Sequence, residues 1–146
     1  MLLLSTSCFE GYGIHKIFQL AQKAHVTGLD LVLSYENKDF WDEEYIFSLS
    51  QEFSVPVLSI TAPEKAVTEA VIDTIVSLAK KLDTQVINFV PPHISDKKTK
   101  WFKDYLPKVK KQSGLSIAVQ NVEPKFWLFV IPEYKNATFA QIKNIT

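Results

Sequence analysis

Apolar positions fall into short unbroken blocks separated by stretches of helical spacing. Strand-like starts recur at Leu2, Leu29, Val57, Val86 and Leu115, in steps of 27, 28, 29 and 29 residues. Steps of this size suit one strand and one helix of a parallel sheet, because a parallel return needs a crossover of a dozen residues or more. The pattern predicts strands over Leu2–Cys8, Leu29–Ser34, Val57–Thr61, Val86–Val90 and Leu115–Val119. These blocks are continuously apolar, as expected of strands covered on both faces.

The intervening stretches read as amphipathic helices. Ile14, Ile17, Phe18, Ala21 and Ala24 form a first face after a loop marked by Gly11 and Gly13. A second helix is expected to begin near Asp39–Asp42, with Glu43 and Glu44 in its first turn, where the helix dipole favours anions. Tyr45, Ile46 and Leu49 would be its buried face. The third helix has the clearest periodicity, through Val67, Val71, Ile75, Leu78 and Leu82. A fourth, capped by Asp96, carries Trp101, Phe102, Tyr105, Leu106 and Val109; Pro107 predicts a kink or an earlier end. Phe126–Ile131 fits a sixth strand, a hairpin arm or an extended loop. Asn136 then suits the N-cap of a last helix with Phe139, Ile142 and Ile145.

Five units fit in 146 residues, whereas a closed eight-unit barrel needs about 250. Alternation alone allows an open doubly wound sheet or a barrel-type sheet with helices on one face. Gly11-Tyr-Gly13 lacks the glycine pattern of a dinucleotide loop.

Composition narrows the function classes. Sixteen cations balance sixteen anions, so no net field draws in nucleic acid or an anionic membrane. Every cation is a lysine, which removes the bidentate fork best suited to phosphate and leaves only point charges. The single cysteine, Cys8, allows no intrachain disulfide, and a reducing cytoplasm is the simplest setting. Cys8 has no evident basic partner and reads as a small buried residue. The apolar start has no basic flank and is too short for a signal segment, and no run approaches the length of a membrane span.

Several segments together resemble the xylose isomerase-like TIM barrels. Ile17-Phe-Gln-Leu-Ala-Gln-Lys-Ala24 leading into Gly28-Leu-Asp-Leu31 is similar to the opening of that superfamily. Val57-Leu-Ser-Ile-Thr-Ala62, Val86-Ile-Asn-Phe-Val-Pro-Pro92 and Leu115-Ser-Ile-Ala-Val-Gln-Asn-Val122 resemble its third, fourth and fifth strands. The resemblance implies an α/β fold of TIM-barrel type, about five of eight units, in a single partial domain over 1–146. It also implies a divalent metal (Mg, Mn or Zn) at the C-terminal ends of the strands, and a carbohydrate or sugar phosphate substrate. The family's fifth strand offers a glutamate where this chain has Gln120, a weaker ligand for a hard cation. Later strands supply further Asp, His and Glu ligands beyond the five units seen here, so a complete metal site is not expected from this chain alone.

Candidate site residues follow from that alignment. Asp30 occupies the acidic position inside the second strand, and Asp30, Thr61, Gln120 and Asn121 are expected to contact substrate. His93, in Pro-Pro-His, and Glu123 are the candidate metal ligands. Ser7, Cys8, Ser34 and Glu36 should share the C-terminal rim, where TIM barrels hold their sites. His15 and His25 read as surface residues, and Trp41, Trp101 and Trp127 as packing residues. The lysine cluster at 97, 98, 100, 103, 108, 110 and 111 reads as a solvated face, so nucleic acid is not the expected partner. Three functions remain open: a sugar phosphate isomerase/epimerase-like protein in truncated or degenerate form, a non-catalytic barrel-type binding or scaffold protein, and an endonuclease IV-like repair protein. Open sheet edges would call for a homodimer or a separate C-terminal part.

Overall fold

The computed structural model describes residues 2–96, 99–122, 126–127, 131–135 and 142–143. Five parallel strands form one sheet: β1 (Leu3–Ser5), β2 (Gly28–Val32), β3 (Val57–Thr61), β4 (Val86–Phe89) and β5 (Ser116–Val119). Their order in the sheet is their order in the chain. Between them run α1 (Ile14–Lys23), α2 (Glu43–Phe53), α3 (Glu69–Lys81) and α4 (Leu106–Ser113). Sequential parallel order with one helix per crossover is the arrangement of an unrolled barrel wall.

The helices bury one stripe each against one face of the sheet. Leu29, Leu31, Ile60, Ile87 and Phe89 are wholly buried beneath Ile17 and Phe18 of α1, Ile46 of α2, and Ile72, Ile75 and Leu78 of α3. Two expected core positions differ: Ala24 is the exposed C-cap of α1, and Tyr45 is exposed on α2. Val67 is buried but precedes α3, whose N-cap is Thr68. On the outside, Lys81 ties α3 to α2 through Glu44 at 2.6 Å and through the Phe47 ring at 5.1 Å.

The strands are not covered equally on both faces. Burial alternates along β2 and β4, with Asp30 and Asn88 half-buried between fully buried neighbours. This corrects the expectation of doubly covered strands. The apolar blocks supply the helix-facing residues, while small polar side chains on the opposite, concave face interrupt them.

Gly28 sits where β2 crosses closest to the start of β3. A Cβ there would lie 2.7 Å from the Pro56 carbonyl oxygen and 2.8 Å from the Leu58 side chain. The backbone oxygen cannot move aside as a side chain can. Gly28→Ala is therefore expected to cost about 1–3 kcal/mol through overpacking, read as a lower urea midpoint; an unchanged midpoint would contradict the close approach.

Helix ends use left-handed residues. Gly114 closes α4 at φ 74°, but Ser54 closes α2 at φ 54°, a conformation that costs a residue with a Cβ. Ser54→Gly is expected to stabilise the fold by up to about 1 kcal/mol. A measured loss of stability would show that the serine contributes more than its backbone strain costs.

Beyond α3 the structure overturns one sequence expectation and decides two others. Asp96 does not cap α4: its carboxylate accepts the His93 N–H at 3.0 Å and the Ala66 N–H at 3.5 Å. Pro107 stands in the first turn of α4, after a π-helical turn over Trp101–Tyr105. The wider turn accommodates a ring that would otherwise press on the preceding carbonyls. Phe126–Trp127 (β6) pairs antiparallel with Ile131–Pro132 (β7), so the hairpin reading holds and the main sheet gains no sixth strand from it. The expected last helix from Asn136, with Phe139 and Ile145, lies outside the described residues, though Ile142 and Lys143 are helical. Among the described residues, the outer edges of β1 and β5 have no partner strand.

Candidate functional site

Asp30 is the hub of the concave face. Its register partners are Ser5 on β1 and Ser59 on β3, and the β2–β3 register slips between Leu29 and Asp30. Such a slip re-aims side chains locally. Here it accompanies three hydroxyls brought to one carboxylate. Ser59 Oγ donates to Asp30 Oδ1 at 2.6 Å, Thr61 Oγ1 donates to the same oxygen at 3.0 Å, and Ser5 Oγ donates to Oδ2 at 3.1 Å. Asn88 on β4 extends the line, its Nδ2 lying 3.4 Å from Thr61 Oγ1. Ser59 and Thr61 are buried, whereas Asp30 is half-buried and within reach of a ligand.

Asp30 and Thr61, expected at the site, are thus together. Ser5, Ser59 and Asn88 were not singled out by sequence. Their signal was weak but present: each is a small polar residue in an apolar block and shares a register position with another member of the network.

Beyond Asp30 along β2, Val32 lines two clefts at the C-terminal rim. The larger, about 530 Å³, runs over the ends of β1 and β2 and is lined by Thr6, Ser7, Glu10, Ser34 and Glu36 among others. The second, about 430 Å³, shares Ser34 and Glu36 and adds Tyr35, Glu64 and Lys65. Ser7, Ser34 and Glu36 therefore lie where expected. Cys8 follows Ser7 past the end of β1 but is not buried as expected, because a short 3₁₀ turn over Thr6–Cys8 leaves the thiol exposed.

Tyr35 is stacked on Trp41, with ring centroids 5.7 Å apart at 13°, and its hydroxyl donates to the Ala66 carbonyl at 3.0 Å. Burial, and then the negative charge of Asp96, push its phenol above the usual tyrosine range. Trp41 Nε1 donates to the Ser34 carbonyl at 2.9 Å, so this tryptophan braces the rim.

His93 is buried, with Nδ1 engaged by Ser95 and Nε2 beside a carboxylate. Nδ1 accepts the Ser95 N–H at 3.1 Å and lies 2.6 Å from Ser95 Oγ. That leaves the neutral ring's proton on Nε2, which faces Glu133 Oε1 at 3.7 Å. Main-chain bonds from Ile94 to Glu133 and from Lys135 to Pro92, each 2.7 Å, clasp the segment after β7 to the loop after β4. A metal role for His93 would require releasing these contacts. Gln120 and Asn121 are exposed at the end of β5, and the Gln120 N–H continues the ladder to the Phe89 carbonyl at 2.9 Å. Glu123 lies outside the described residues.

The implied metal can be tested against the donors present. Among the described residues no three His, Cys, Asp or Glu side chains are grouped to hold a metal ion. Asp30, the acid best placed on the concave face, is surrounded by hydroxyl donors, and Gln120 is neutral. The described residues do not fit a divalent metal.

His15 and His25 are exposed, as expected, with the His15 ring edge-on to Phe53 at 5.1 Å. Trp101 is buried against Phe89 at 5.9 Å. Lys100, Lys103, Lys108 and Lys111 are exposed, while Lys97 and Lys98 lie outside the described residues. Among the described residues no helix is long and apolar enough to cross a membrane.

In sequence, the chain matches no family description and no curated relative. In structure it is similar to a xylose isomerase domain protein from Alicyclobacillus acidocaldarius, with a TM-score of 0.64 at 12% identity. That likeness takes in 99% of this chain and 57% of the other. At this identity the likeness concerns the fold: a parallel α/β sheet of xylose isomerase type, consistent with part of a TIM barrel.

Proposed function

We propose that this chain is a carbohydrate-binding part of a sugar or sugar phosphate isomerase/epimerase-like barrel. The observation that carries this reading is the Asp30–Ser5–Ser59–Thr61–Asn88 network on the concave sheet face, linked through Ser7 to a cleft at the C-terminal rim. TIM barrels assemble their sites at that end. A row of short hydroxyl and amide groups, fixed by a carboxylate, matches the alternating hydroxyls of a polyol. The fold likeness supports the same direction.

In this reading the residues bind and orient. Asp30 fixes the hydroxyl rotors of Ser5, Ser59 and Thr61, so their rotational freedom is spent before a ligand arrives. Asn88, Gln120 and Asn121 add amides from β4 and the end of β5. No proton transfer is assigned, since the described residues fit no metal and hold no second carboxylate beside Asp30 in the network.

A non-catalytic sugar-binding protein is the second reading. It is favoured by Gln120 at the position where the resembling family carries an acid. Calorimetry with D-xylose, D-fructose and D-fructose 6-phosphate, each with and without Mg²⁺, tests the shared core of both. Saturable binding of any one sugar supports it, and metal-dependent turnover would favour the enzyme over the binding protein. Absence of binding across the panel would sink both.

A further inference from the structure

The hydroxyls of the concave face have their hydrogens already committed. A hydroxyl has one hydrogen and two lone pairs. Those of Ser5, Ser59 and Thr61 all point to the Asp30 carboxylate. Ser7 Oγ lies 3.0 Å from Ser5 Oγ, and since the Ser5 hydrogen goes to Asp30, Ser7 is the donor in that pair. Ser59 and Thr61 are buried, so what this face offers a ligand is the lone pairs of Ser5, Ser7 and the half-buried Asp30 carboxylate, and the ligand must supply the hydrogens.

The charge around this surface has the same sense. Asp30 is part of it, Ser7 carries it to the larger cleft, which Glu10 and Glu36 also line, and Glu64 lines the neighbouring cleft. Among the described residues, Lys65 is the one basic side chain lining either cleft. Donors on the face come from amides: Asn88 keeps one N–H beyond its contact to Thr61. A phosphate brings acceptors and negative charge, and would meet acceptors and negative charge. A sugar hydroxyl can donate one hydrogen. An ammonium donates three and carries the complementary charge.

We propose that the ligand class of this site is a protonated amino sugar or related amino polyol, and that the site selects against phosphorylated sugars. This rests on the sugar-binding reading, keeps its unphosphorylated branch, and narrows that branch to sugars that carry an ammonium group. The carboxylate acts through the hydroxyls as a positioning group, turning a set of mixed donor–acceptors into acceptors.

One carbon skeleton tests it. The full chain is titrated near neutral pH with D-glucosamine, D-glucose, N-acetyl-D-glucosamine and D-glucose 6-phosphate. The expected order is glucosamine tightest, glucose and its N-acetylamino analogue weaker by about tenfold, the equivalent of about 1.4 kcal/mol, and the phosphate weaker again. Added salt should narrow the glucosamine advantage. Glu36→Gln, at an exposed rim position, is expected to narrow it too. Asp30→Asn returns donors to the face and should bring the glucosamine-to-glucose ratio close to unity; if that variant fails to fold, Glu36→Gln still reads the charge. Glucosamine binding no tighter than glucose, or glucose 6-phosphate binding as tightly as glucose, overturns the proposal and leaves sugar binding standing. Binding of none of the four overturns both.

Discussion

Asp30→Ala is expected to abolish measurable sugar binding and to lower folding stability by about 1–3 kcal/mol. The two effects share one cause. Ser59 and Thr61 are buried, and both donate to Asp30 Oδ1. Without the carboxylate these hydroxyls lose their acceptor, and a buried polar group left unpaired costs about 1–3 kcal/mol. Water can enter from the half-exposed side of Asp30, which holds the sum near the cost of one such group rather than two. Binding suffers more than stability, because Ser5, Ser59 and Thr61 are freed to rotate and no longer present a fixed row of lone pairs. Urea denaturation and sugar calorimetry on the same variant separate the two losses. Retained binding in a folded Asp30→Ala protein would remove Asp30 from the site.

Phe89→Ala is expected to have the largest effect on stability alone, about 3–5 kcal/mol. Phe89 is wholly buried on the helix side of β4, its ring 5.9 Å from that of Trp101. Trp101 in turn packs edge-on against Phe102 at 5.5 Å, in the π-helical turn that leads into α4. Truncation leaves a cavity between β4 and that turn, and a rigid sheet on one side cannot collapse into it. Domains of this size are stable by about 5–15 kcal/mol, so the variant should approach half-unfolding at modest denaturant. Phe89→Leu, which refills much of the space, should recover most of the loss. The denaturant midpoint reads both, and a change under about 1 kcal/mol for the alanine would contradict the packing described.

The parallel sheet was legible because burial on its helix side is strong and continuous. Strand starts expected at Leu2, Leu29, Val57, Val86 and Leu115 lie within a residue of those observed. Leu29, Leu31, Ile60, Ile87 and Phe89 carry that signal, and the α3 stripe through Ile75 and Leu78 completes it. The concave face was much less legible. Ser5, Ser59 and Asn88 are single polar residues in apolar blocks, and what makes them a site is register across four strands, which no local pattern encodes. Asp30 stood out because the resemblance places an acid at that position of the second strand. Its partners come from residues distant in the chain.

Rim residues failed for a different reason. Cys8 was expected inside a strand, but pairing stops at Ser5 and the following turn directs it outward. Asp96 has the sequence position of a helix cap, yet the N–H groups of His93 and Ala66 are its partners in space. His93 was a candidate metal ligand, but Ser95 engages its Nδ1 and the segment after β7 folds back to set Glu133 beside its Nε2. The end of strand pairing decides the first, and partners that include residues distant in the chain decide the other two; sequence spacing does not rank such partners.

The central claim is that the polar concave face of the sheet is where this chain meets a sugar. A titration of the ¹⁵N-labelled protein with D-glucosamine, followed by backbone amide shifts, tests it most directly. The account predicts saturable shifts concentrated at Ser5, Asp30, Ser59, Thr61 and Asn88, with the helix-facing residues Leu29, Ile60 and Ile87 moving less. Shifts confined to the outer faces of α1 to α4, or none at saturating sugar, would contradict it.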